Sequence, residues 1–381
     1  MAAPVINPRA AAESLLSRHH AAPITVIGWR RIEPWTVARA RLTGAAHGQS
    51  VIVKWVRPHL GPARTDAWRL RTELAALRFL SDDLALALAP AVIAADLDAG
   101  LLVLEDLAPR RPLDELLRAD GAAAHAGRLL AFAHARGELG AATAGRAAAY
   151  YARRAALGPV DPDADRAGRF AGDGEPGGEA AAFGAPLTGP AERELTAALG
   201  ELAAPGAFLT LGNGDPEANN VLVNATGDPD ARLIDFEFAG YAHALHDAVC
   251  LRVPGPGWLS VGDPAASGLA DAYRSALARG VPEAEDDRRY GHALAAACFS
   301  FALLRLRRLP VLDTREPGDD SRAQLVATLE AAAGTAEAHR ALPHLAGWAR
   351  RTADLLRRRW PDADLDLADP AAFPPYSPRR H

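Results

Sequence analysis

Outside residues 209–240, patterns typical of β-strands occupy only the first 107 residues of this 381-residue chain, and most of the later residues are typical of α-helix. Three short runs rich in Val, Ile, Thr and Trp predict an antiparallel meander. They lie at residues 24–32, 36–42 and 50–56. A helix with an apolar stripe is predicted at residues 66–80, followed by strands at 90–97 and 101–107. This β-β-β-α-β-β order predicts one small sheet joined to a larger helical part.

The remainder of the chain is predicted to be helical, with two exceptions at residues 158–190 and 209–240. The helical stretches lie at residues 113–117, 122–157, 192–202, 264–279, 285–309, 321–341 and 343–359. Residues 158–190 are rich in Gly, Pro and Asp without any period and predict a flexible insertion. Their GDGEPG sequence matches a dinucleotide-binding glycine motif in form, but no strand precedes it, so we reject that site. The Pro- and Asp-rich tail from residue 361 is expected to be poorly ordered.

The composition is that of an ordinary globular protein, with 49% hydrophobic residues, 23% charged residues and a net charge of −5. It excludes a fully disordered chain and argues against a nucleic-acid-binding protein. The longest uncharged apolar runs have 12 residues, whereas a membrane-spanning helix needs about 20. The N-terminus lacks a signal-peptide pattern, so we expect a cytoplasmic protein without a membrane or nucleic-acid partner. Cys250 and Cys298 lie in apolar stretches and are expected to be buried free thiols.

Lys54 is the only lysine among the 42 basic residues and lies in the third predicted strand. Strand alternation puts it on one face with Ile52 and Val56, so the ammonium lies on an apolar face. Glu73 falls on the apolar stripe of the next helix, where a buried carboxylate needs a cation. We therefore expect Lys54 and Glu73 to pair in a cleft. The alternatives are a lysine in solvent on an edge strand and a glutamate at the boundary of the helix.

Residues 209–240 interrupt the helical pattern with the sequence LTLGNGDPEANNVLVNATGDPDARLIDFEFAG. Its apolar runs VLV and RLI predict the two strands of a hairpin. Asp215 and Asn220 precede the first strand and Asp235 follows the second, so their side chains should converge. Two carboxylates and an amide oxygen form the all-oxygen set that Mg²⁺ prefers. Phosphoryl transfer needs such a cation, a lysine for the phosphates and an aspartate that takes the hydroxyl proton.

The order of Lys54, Glu73, LVLEDL, GD-x4-N-VL and IDFE resembles the aminoglycoside phosphotransferase and choline kinase family. That family usually has HGD-x4-N in its catalytic segment and IDW/FE in its metal segment. The resemblance covers about residues 24–250, and the later helices suit the family's helical C-lobe. It implies an α+β, two-lobed fold similar to protein kinases. The N-lobe would be a small antiparallel sheet with one helix, and the C-lobe would be large and mainly helical.

On this resemblance, residues 1–104 would form the nucleotide-binding N-lobe and residues 105–107 a hinge linker. Residues 108–360 would form the C-lobe, with the insertion at 158–190, and residues 361–381 the tail. The implied activity is that of an ATP-dependent phosphotransferase with Mg²⁺ as cofactor. It would transfer the γ-phosphoryl group of ATP to a hydroxyl of a small polar acceptor.

The resemblance also implies a role for each motif residue. Asp215 would be the catalytic base, and Asn220 and Asp235 would bind Mg²⁺. Lys54 would hold the α- and β-phosphates and would be oriented by Glu73.

Adenine would pair with backbone groups of the linker from Glu105 to Leu107 and lie between apolar side chains such as Ile52 and Leu222. Asp247 would brace the catalytic loop. The alternative for Asp247 is the N-cap of a helix.

The chain departs from the family pattern at two places. Asn213 stands where the family has His, although an asparagine can still support the loop by hydrogen bonds to the backbone. The turn at residues 31–36 contains no glycine, and its Glu33 would repel phosphates. These departures motivate a second hypothesis, a nucleotide-binding pseudokinase that acts as a regulator or scaffold. A protein kinase proper is disfavoured, since no segment resembles an activation loop that ends in Ala-Pro-Glu.

Carboxylates around the expected site suggest a cationic or polyol acceptor, such as an aminoglycoside, an amino sugar or an amino alcohol. They are Asp215, Glu217 and Glu237, with Asp106 in the linker. Glu237 belongs to the family pattern, so bracing of the loop is its alternative role. A sugar or another antibiotic would fit nearly as well. The sequence leaves open the identity of the acceptor, the position that is phosphorylated, whether ATP or GTP is the phosphoryl donor, and the oligomeric state.

Overall fold

The computed structural model describes residues 7–32, 36–44, 49–56, 66–163, 178–253, 267–316 and 320–364. Several expectations fall outside these residues. They concern Glu33 in the first turn, the GDGEPG sequence at residues 172–177, and the tail beyond residue 364.

The N-terminal lobe is built on a five-stranded antiparallel sheet. Its strands are β1 (Ile24–Arg31), β2 (Val37–Gly44), β3 (Ser50–Trp55), β4 (Val92–Asp96) and β5 (Leu101–Glu105). Their order in the sheet is β1-β2-β3-β5-β4, so β3 pairs with β2 on one side and with β5 on the other. Lys54 therefore lies on an internal strand, and the alternative of an edge-strand lysine is wrong.

Two helices cover the two faces of this sheet. Helix α1 (Pro8–His19) packs on the face that carries Val51 and Val53. Helix α2 (Asp66–Arg78) packs on the opposite face, where Leu104 and Leu74 share a core. Because β3 is covered on both sides, a charged group on it must find a partner inside the protein.

The C-terminal lobe is mainly helical. Its helices are α3 (Leu113–Asp120), α4 (Ala126–Thr143), α5 (Ala147–Ala155), α6 (Gly178–Ala182), α7 (Pro190–Ala203), α8 (Leu269–Ala278), α9 (Asp287–Leu306), α10 (Leu309–Asp313), α11 (Asp320–Ala338) and α12 (Pro343–Arg359). Helix α4 packs against α8, and α11 packs against both α9 and α12. Every helix in the described part of the chain is too short or too polar to cross a membrane. The two-lobed α+β architecture expected from the sequence is present.

Residues 122–157 are not one continuous helix, as their composition suggested, but the two helices α4 and α5. The chain turns at Gly145, whose φ is +70°. This left-handed conformation favours glycine and commonly follows the end of a helix. An alanine-rich pattern does not reveal such a break, because both helices have the same composition.

Five short strands frame the loop that carries the site motifs. They are β6 (Arg111–Pro112), β7 (Leu209–Gly212), β8 (Val221–Val223), β9 (Ala231–Leu233) and β10 (Gly240–His243). Strands β8 and β9 form the expected hairpin, and β7 pairs with β10. The sequence did not predict β10, because all four of its residues are buried and no alternation marks it.

Gly137 lies where α4 approaches α8. A Cβ at this position would lie 2.3 Å from the carbonyl oxygen of Tyr273. We expect Gly137→Ala to lower the free energy of unfolding by about 1–3 kcal/mol, because the added carbon overpacks this contact.

The matched control is Gly200→Ala in α7, where an added Cβ meets no atom within 4 Å. This change should raise the free energy of unfolding by about 0.5–1 kcal/mol, since alanine is the better helix former. Urea unfolding of both variants measures the difference, and equal effects would contradict the close packing of α4 on α8.

Candidate active site

Lys54 lies between two carboxylates at the junction of the two lobes. Its Nζ donates to Glu73 at 2.7 Å (Oε1) and 2.9 Å (Oε2), and to Asp235 Oδ1 at 2.7 Å. Glu73 belongs to α2, whereas Asp235 follows β9 in the C-terminal lobe. The pair of Lys54 and Glu73 expected from the sequence is present, and Asp235 shares the same ammonium.

The charges at this junction do not balance. Burial acts to lower the pKa of Lys54, but Asp235 and Glu73 outweigh it and hold this pKa above its usual range. Burial raises the pKa of Glu73, and the ammonium of Lys54 opposes this effect. Two carboxylates around one ammonium leave an excess negative charge in a site of low exposure. A bound cation would compensate that charge.

The backbone at Asp235 has a left-handed conformation. Its φ is +62°, which lies in the left-handed region that aspartate adopts more readily than most residues. The carboxylate of Asp235 contacts Lys54, while the next residue, Phe236, is fully buried in the core. The backbone of Phe236 stabilises the ionised form of the Glu73 carboxylate. Two contacts therefore fix this segment against the N-terminal lobe.

The loop between β7 and β8 carries Asp215 and Asn220. The amide Nδ2 of Asn220 donates to the carbonyl of Asp215 at 3.1 Å, and the N–H of Ile234 donates to the carbonyl of Asn220 at 3.0 Å. Asn220 thus links the loop that holds Asp215 to the segment that ends at Asp235. The two motif segments are thus joined by hydrogen bonds to the backbone.

Asn213 supports this loop with both ends of its side chain. Its Nδ2 donates to the carbonyl of Ile234 at 3.0 Å, and its Oδ1 accepts from the N–H of Asp215 at 3.3 Å. The same Oδ1 accepts from Arg136 Nη1 at 2.7 Å. An asparagine can therefore support the loop in place of the histidine of the family pattern.

Arg136 was missed by the sequence analysis. This residue of α4 is fully buried, and its Nη1 lies 3.8 Å from Asp247 Oδ2 in addition to its bond to Asn213. A signal was present, because Arg136 lies at helical spacing on the apolar stripe formed by Leu129, Phe132 and Leu139. A charged residue on such a stripe indicates a buried partner.

Asp247 packs beneath the start of the same loop. It follows the 3₁₀ turn Ala244–His246 rather than beginning a helix, so the N-cap alternative is wrong. A Cβ on Gly212 would lie 2.7 Å from its Oδ1. The position of Asp247, between Gly212 and Arg136, suits a residue that braces the loop.

Some backbone groups of the linker between the lobes already form hydrogen bonds within the protein. The N–H of Glu105 donates to the carbonyl of Ala91 at 2.9 Å, and the carbonyl of Leu107 accepts from Arg110 at 3.1 Å. Adenine would have to use other backbone groups of this linker. Ile52 and Leu222 are both half-buried, on β3 and β8 respectively.

Asp106 does not lie at the acceptor side of the site, and that expectation is wrong. Its side chain is 2% exposed and lies 2.7 Å from Arg39 Nε. It also accepts from Ser50 Oγ at 2.6 Å. These two residues belong to β2 and β3, so Asp106 is fixed against the N-terminal sheet.

A cavity of about 190 Å³ opens beside Asp215. Its lining residues are Gly214, Asp215, Pro216, Glu217, His246, Asp247, Val249, Cys250, Val253, Phe301 and Leu304. Glu217, one of the carboxylates expected near the acceptor, lines the cavity together with Asp215. Glu237 instead forms an ion pair with Arg69 of α2 at 3.4 Å. Burial and the nearby Asp235 raise the pKa of Glu237 to about 7.

Lys54→Arg tests the requirement for a compact ammonium between two carboxylates. We expect kcat/KM for the phosphoryl transfer that the sequence motifs indicate to fall by about 10-fold or more. The longer, planar guanidinium cannot occupy the same point between Glu73 and Asp235. Lys54→Met, which removes the charge, should also lower the free energy of unfolding by about 3–5 kcal/mol. Steady-state kinetics and urea unfolding measure the two effects. Wild-type kinetics of Lys54→Arg would show that the shape of the cation is irrelevant.

A double-mutant cycle of Arg136→Gln and Asn213→Ala tests their buried hydrogen bond. We expect the two effects on the free energy of unfolding to be non-additive by about 0.5–3 kcal/mol, because each variant removes the same bond. Urea unfolding of the wild type, both single variants and the double variant gives this coupling. Additive effects would mean that Arg136 does not support the loop through Asn213.

No family model and no curated protein matches this chain. Solved structures are similar to it in chain path. One is a choline/ethanolamine kinase family protein from Mesorhizobium loti, with 17% identity, a TM-score of 0.46 and coverage of 85% of this chain and 92% of that one. Another is a microcompartment-associated aminopropanol kinase, with 16% identity, a TM-score of 0.45 and coverage of 94% and 99%. A third is an aminoglycoside-3'-phosphotransferase of type VIII, with 20% identity, a TM-score of 0.40 and coverage of 79% and 99%.

At these identities and TM-scores, the likeness does not by itself assign an activity to the chain.

Proposed function

We propose that this protein is an ATP-dependent small-molecule kinase that transfers the γ-phosphoryl group to a hydroxyl of a small acceptor. The observation that supports this most strongly is the position of Lys54, 2.7 Å from both Glu73 and Asp235. It places the one lysine of the chain beside a candidate metal ligand, next to the loop that carries Asp215. Phosphoryl transfer depends on positioning and charge stabilisation, and this set of residues supplies both.

Asp215 is the proposed catalytic base. It lies at the edge of the cavity, where a bound acceptor would bring its hydroxyl within reach. The hydroxyl oxygen forms a bond to the γ-phosphorus as the bond to the β–γ bridging oxygen breaks. ADP leaves with the electron pair of that bond, and Asp215 takes the proton of the hydroxyl. Lys54 holds the α- and β-phosphates.

Asn220 and Asp235 are the proposed ligands of Mg²⁺. An amide oxygen and a carboxylate suit this hard cation, and the excess negative charge around Lys54 favours it. The described residues contain no group of three or more His, Cys, Asp or Glu placed to hold a metal ion. The remaining ligands would be phosphate oxygens and water, as is usual for Mg²⁺. When bound, Mg²⁺ neutralises the phosphate charge.

The pseudokinase alternative was motivated by Asn213 in place of a histidine and by the turn at residues 31–36 without glycine, of which residues 33–35 lie outside the described part of the chain. The three hydrogen bonds of Asn213 to Arg136, Ile234 and Asp215 favour an ordered catalytic loop. They support the kinase over a protein that only binds nucleotide.

Asp215→Ala tests the proposed base. We expect acceptor-dependent ADP release to fall by about 10²–10⁴-fold, the usual contribution of general base catalysis. Binding of Mg-ATP, measured as a shift in Tm, should remain. ADP release is measured with Mg-ATP across amino alcohols, amino sugars, sugars, aminoglycosides and macrolides.

The matched control is Asp228→Ala in the exposed turn between β8 and β9. It removes one carboxylate of the neighbouring hairpin outside the cavity lining, and its ADP release should equal that of the wild type. Full activity of Asp215→Ala would refute its role as the base. Absence of both Mg-ATP binding and ADP release in the wild type would refute the proposed function.

A further inference from the structure

Helix α2 has two buried faces. Glu73 lies on the face toward the sheet, where its carboxylate binds Lys54. A second face is formed by positions that follow one another at intervals of three and four residues. They are Arg69, Thr72, Ala76 and Phe79, the last in the π-helical turn Phe79–Asp83 that continues α2. Thr72, Ala76 and Phe79 are fully buried, so this second face must pack on another part of the protein.

Arg154 of α5 binds the second face of α2. It is 1% exposed, and its Nε donates to Oγ1 of Thr72 at 3.1 Å. Its Cζ lies 5.7 Å from the ring centroid of Trp68, one turn before Thr72, and its Nη1 donates to the carbonyl of Gly158 at 3.2 Å. Because Thr72 precedes Glu73 in the sequence, Arg154 contacts the turn of α2 that carries Glu73.

Two further contacts join α5 to the π-helical turn that continues α2. The rings of Tyr150 and Phe79 meet edge to face, with 5.7 Å between their centroids. Arg153 donates to both carboxylate oxygens of Asp83, at 2.8 Å from Nε and 2.6 Å from Nη2. A bidentate pair fixes the orientation of its partners as well as their distance. Helix α2 is therefore attached to the C-terminal lobe along its length.

Helix α5 is also attached to the segment that follows Asp235. The hydroxyl of Tyr150 donates to the carbonyl of Ala239 at 3.3 Å, and the N–H of Tyr241 donates to the hydroxyl of Tyr151 at 3.3 Å. The rings of Tyr150 and Tyr241 are fully buried, with centroids 5.6 Å apart. Helix α5 thus contacts both chain segments that supply a carboxylate to the shared ammonium.

We propose that α5 is a positioning element of the nucleotide site and that Arg154 is its principal positioning residue. Arg154 acts through Thr72 and holds α2 on the C-terminal lobe, so that Glu73 stays beside the ammonium of Lys54. The separation of Glu73 from Asp235 is then set by the C-terminal lobe and not by the sheet. This inference rests on the proposed function, because Lys54 is a phosphate-binding residue only if the protein binds ATP.

Loss of this attachment should weaken nucleotide binding without abolishing it. Helix α2 would keep its packing on the sheet, where Leu74 lies in the core. Glu73 would no longer be held at one position, and neither would the ammonium that it orients. Part of the binding free energy of Mg-ATP would then be lost in ordering α2.

The first test is a double-mutant cycle between Arg154→Met and Lys54→Arg, measured as the Kd of Mg-ATP by isothermal titration calorimetry. Each single variant should raise this Kd by about 10-fold. The double variant should bind Mg-ATP no more weakly than Lys54→Arg alone, because the compact ammonium that Arg154 positions is already absent. A residue that only stabilises the fold would leave the Kd of the folded protein unchanged.

The second test removes the hydroxyl that Arg154 binds, and it decides the question if Arg154→Met does not fold. Thr72→Val preserves the shape of the side chain and should raise the Kd of Mg-ATP by about 3–10-fold. Thr72→Ser retains the hydroxyl and should restore a Kd close to that of the wild type. Thr72→Val should also be non-additive with Lys54→Arg, for the same reason as Arg154→Met.

The matched control is Arg322→Met in α11. Arg322 is 6% exposed and, like Arg154, donates to backbone carbonyl groups. Its acceptors are the carbonyls of Leu312, Asp313 and Arg315. Both substitutions should lower the free energy of unfolding in urea, since each leaves buried acceptors without their donor. Only Arg154→Met should change the Kd of Mg-ATP.

The outcomes separate this inference from the proposed function. If the wild type binds Mg-ATP and neither Arg154→Met nor Thr72→Val changes the Kd, the inference is overturned. Additive effects in the cycles with Lys54→Arg also overturn it. An equal rise in Kd in Arg322→Met does the same, since a general loss of stability would then explain the effect. Failure of the wild type to bind Mg-ATP refutes the proposed function itself.

Discussion

The contact on which the rest of the site depends is the shared ammonium of Lys54. One charge on a sheet strand holds a carboxylate from the helix behind the sheet, Glu73, and a carboxylate from the other lobe, Asp235. Because two carboxylates face one ammonium, the arrangement retains negative charge where a cation can bind. The lobes are therefore joined at the point where we propose that the phosphates bind.

Buried arginines form hydrogen bonds that support the interior of this chain, which has one lysine. Arg136 binds Asn213 beneath the catalytic loop, and Arg154 donates to Thr72 of α2 at 3.1 Å. The planar guanidinium suits such positions, since it donates several hydrogen bonds in fixed directions. Lys54 lies where a compact charge must be equidistant from two acceptors, which explains why the cation at this position is lysine and not arginine.

The candidate acceptor cavity combines two sequence segments that are distant along the chain. The loop at Asp215 supplies its carboxylates, and Phe301 and Leu304 of α9 supply part of its apolar lining. The motif segment thus accounts for the proposed chemistry, whereas the helices of the C-terminal lobe would select the acceptor. This division explains why motifs alone left the acceptor open between polyols, sugars and amines.

The sequence by itself determined the strands of the N-terminal lobe and its helix α2, the hairpin β8–β9, and the pairing of Lys54 with Glu73. These depend on local periodicity and on the cost of burying an unpaired charge, both of which are visible along the chain. Only the tertiary structure decided that Asp235 shares the ammonium of Lys54, that Arg136 supports Asn213, and that Glu237 faces α2. Each of these contacts joins residues far apart in sequence, so no local pattern can specify its partner. The lining of the cavity was decided in the same way, by how α9 packs against the loop.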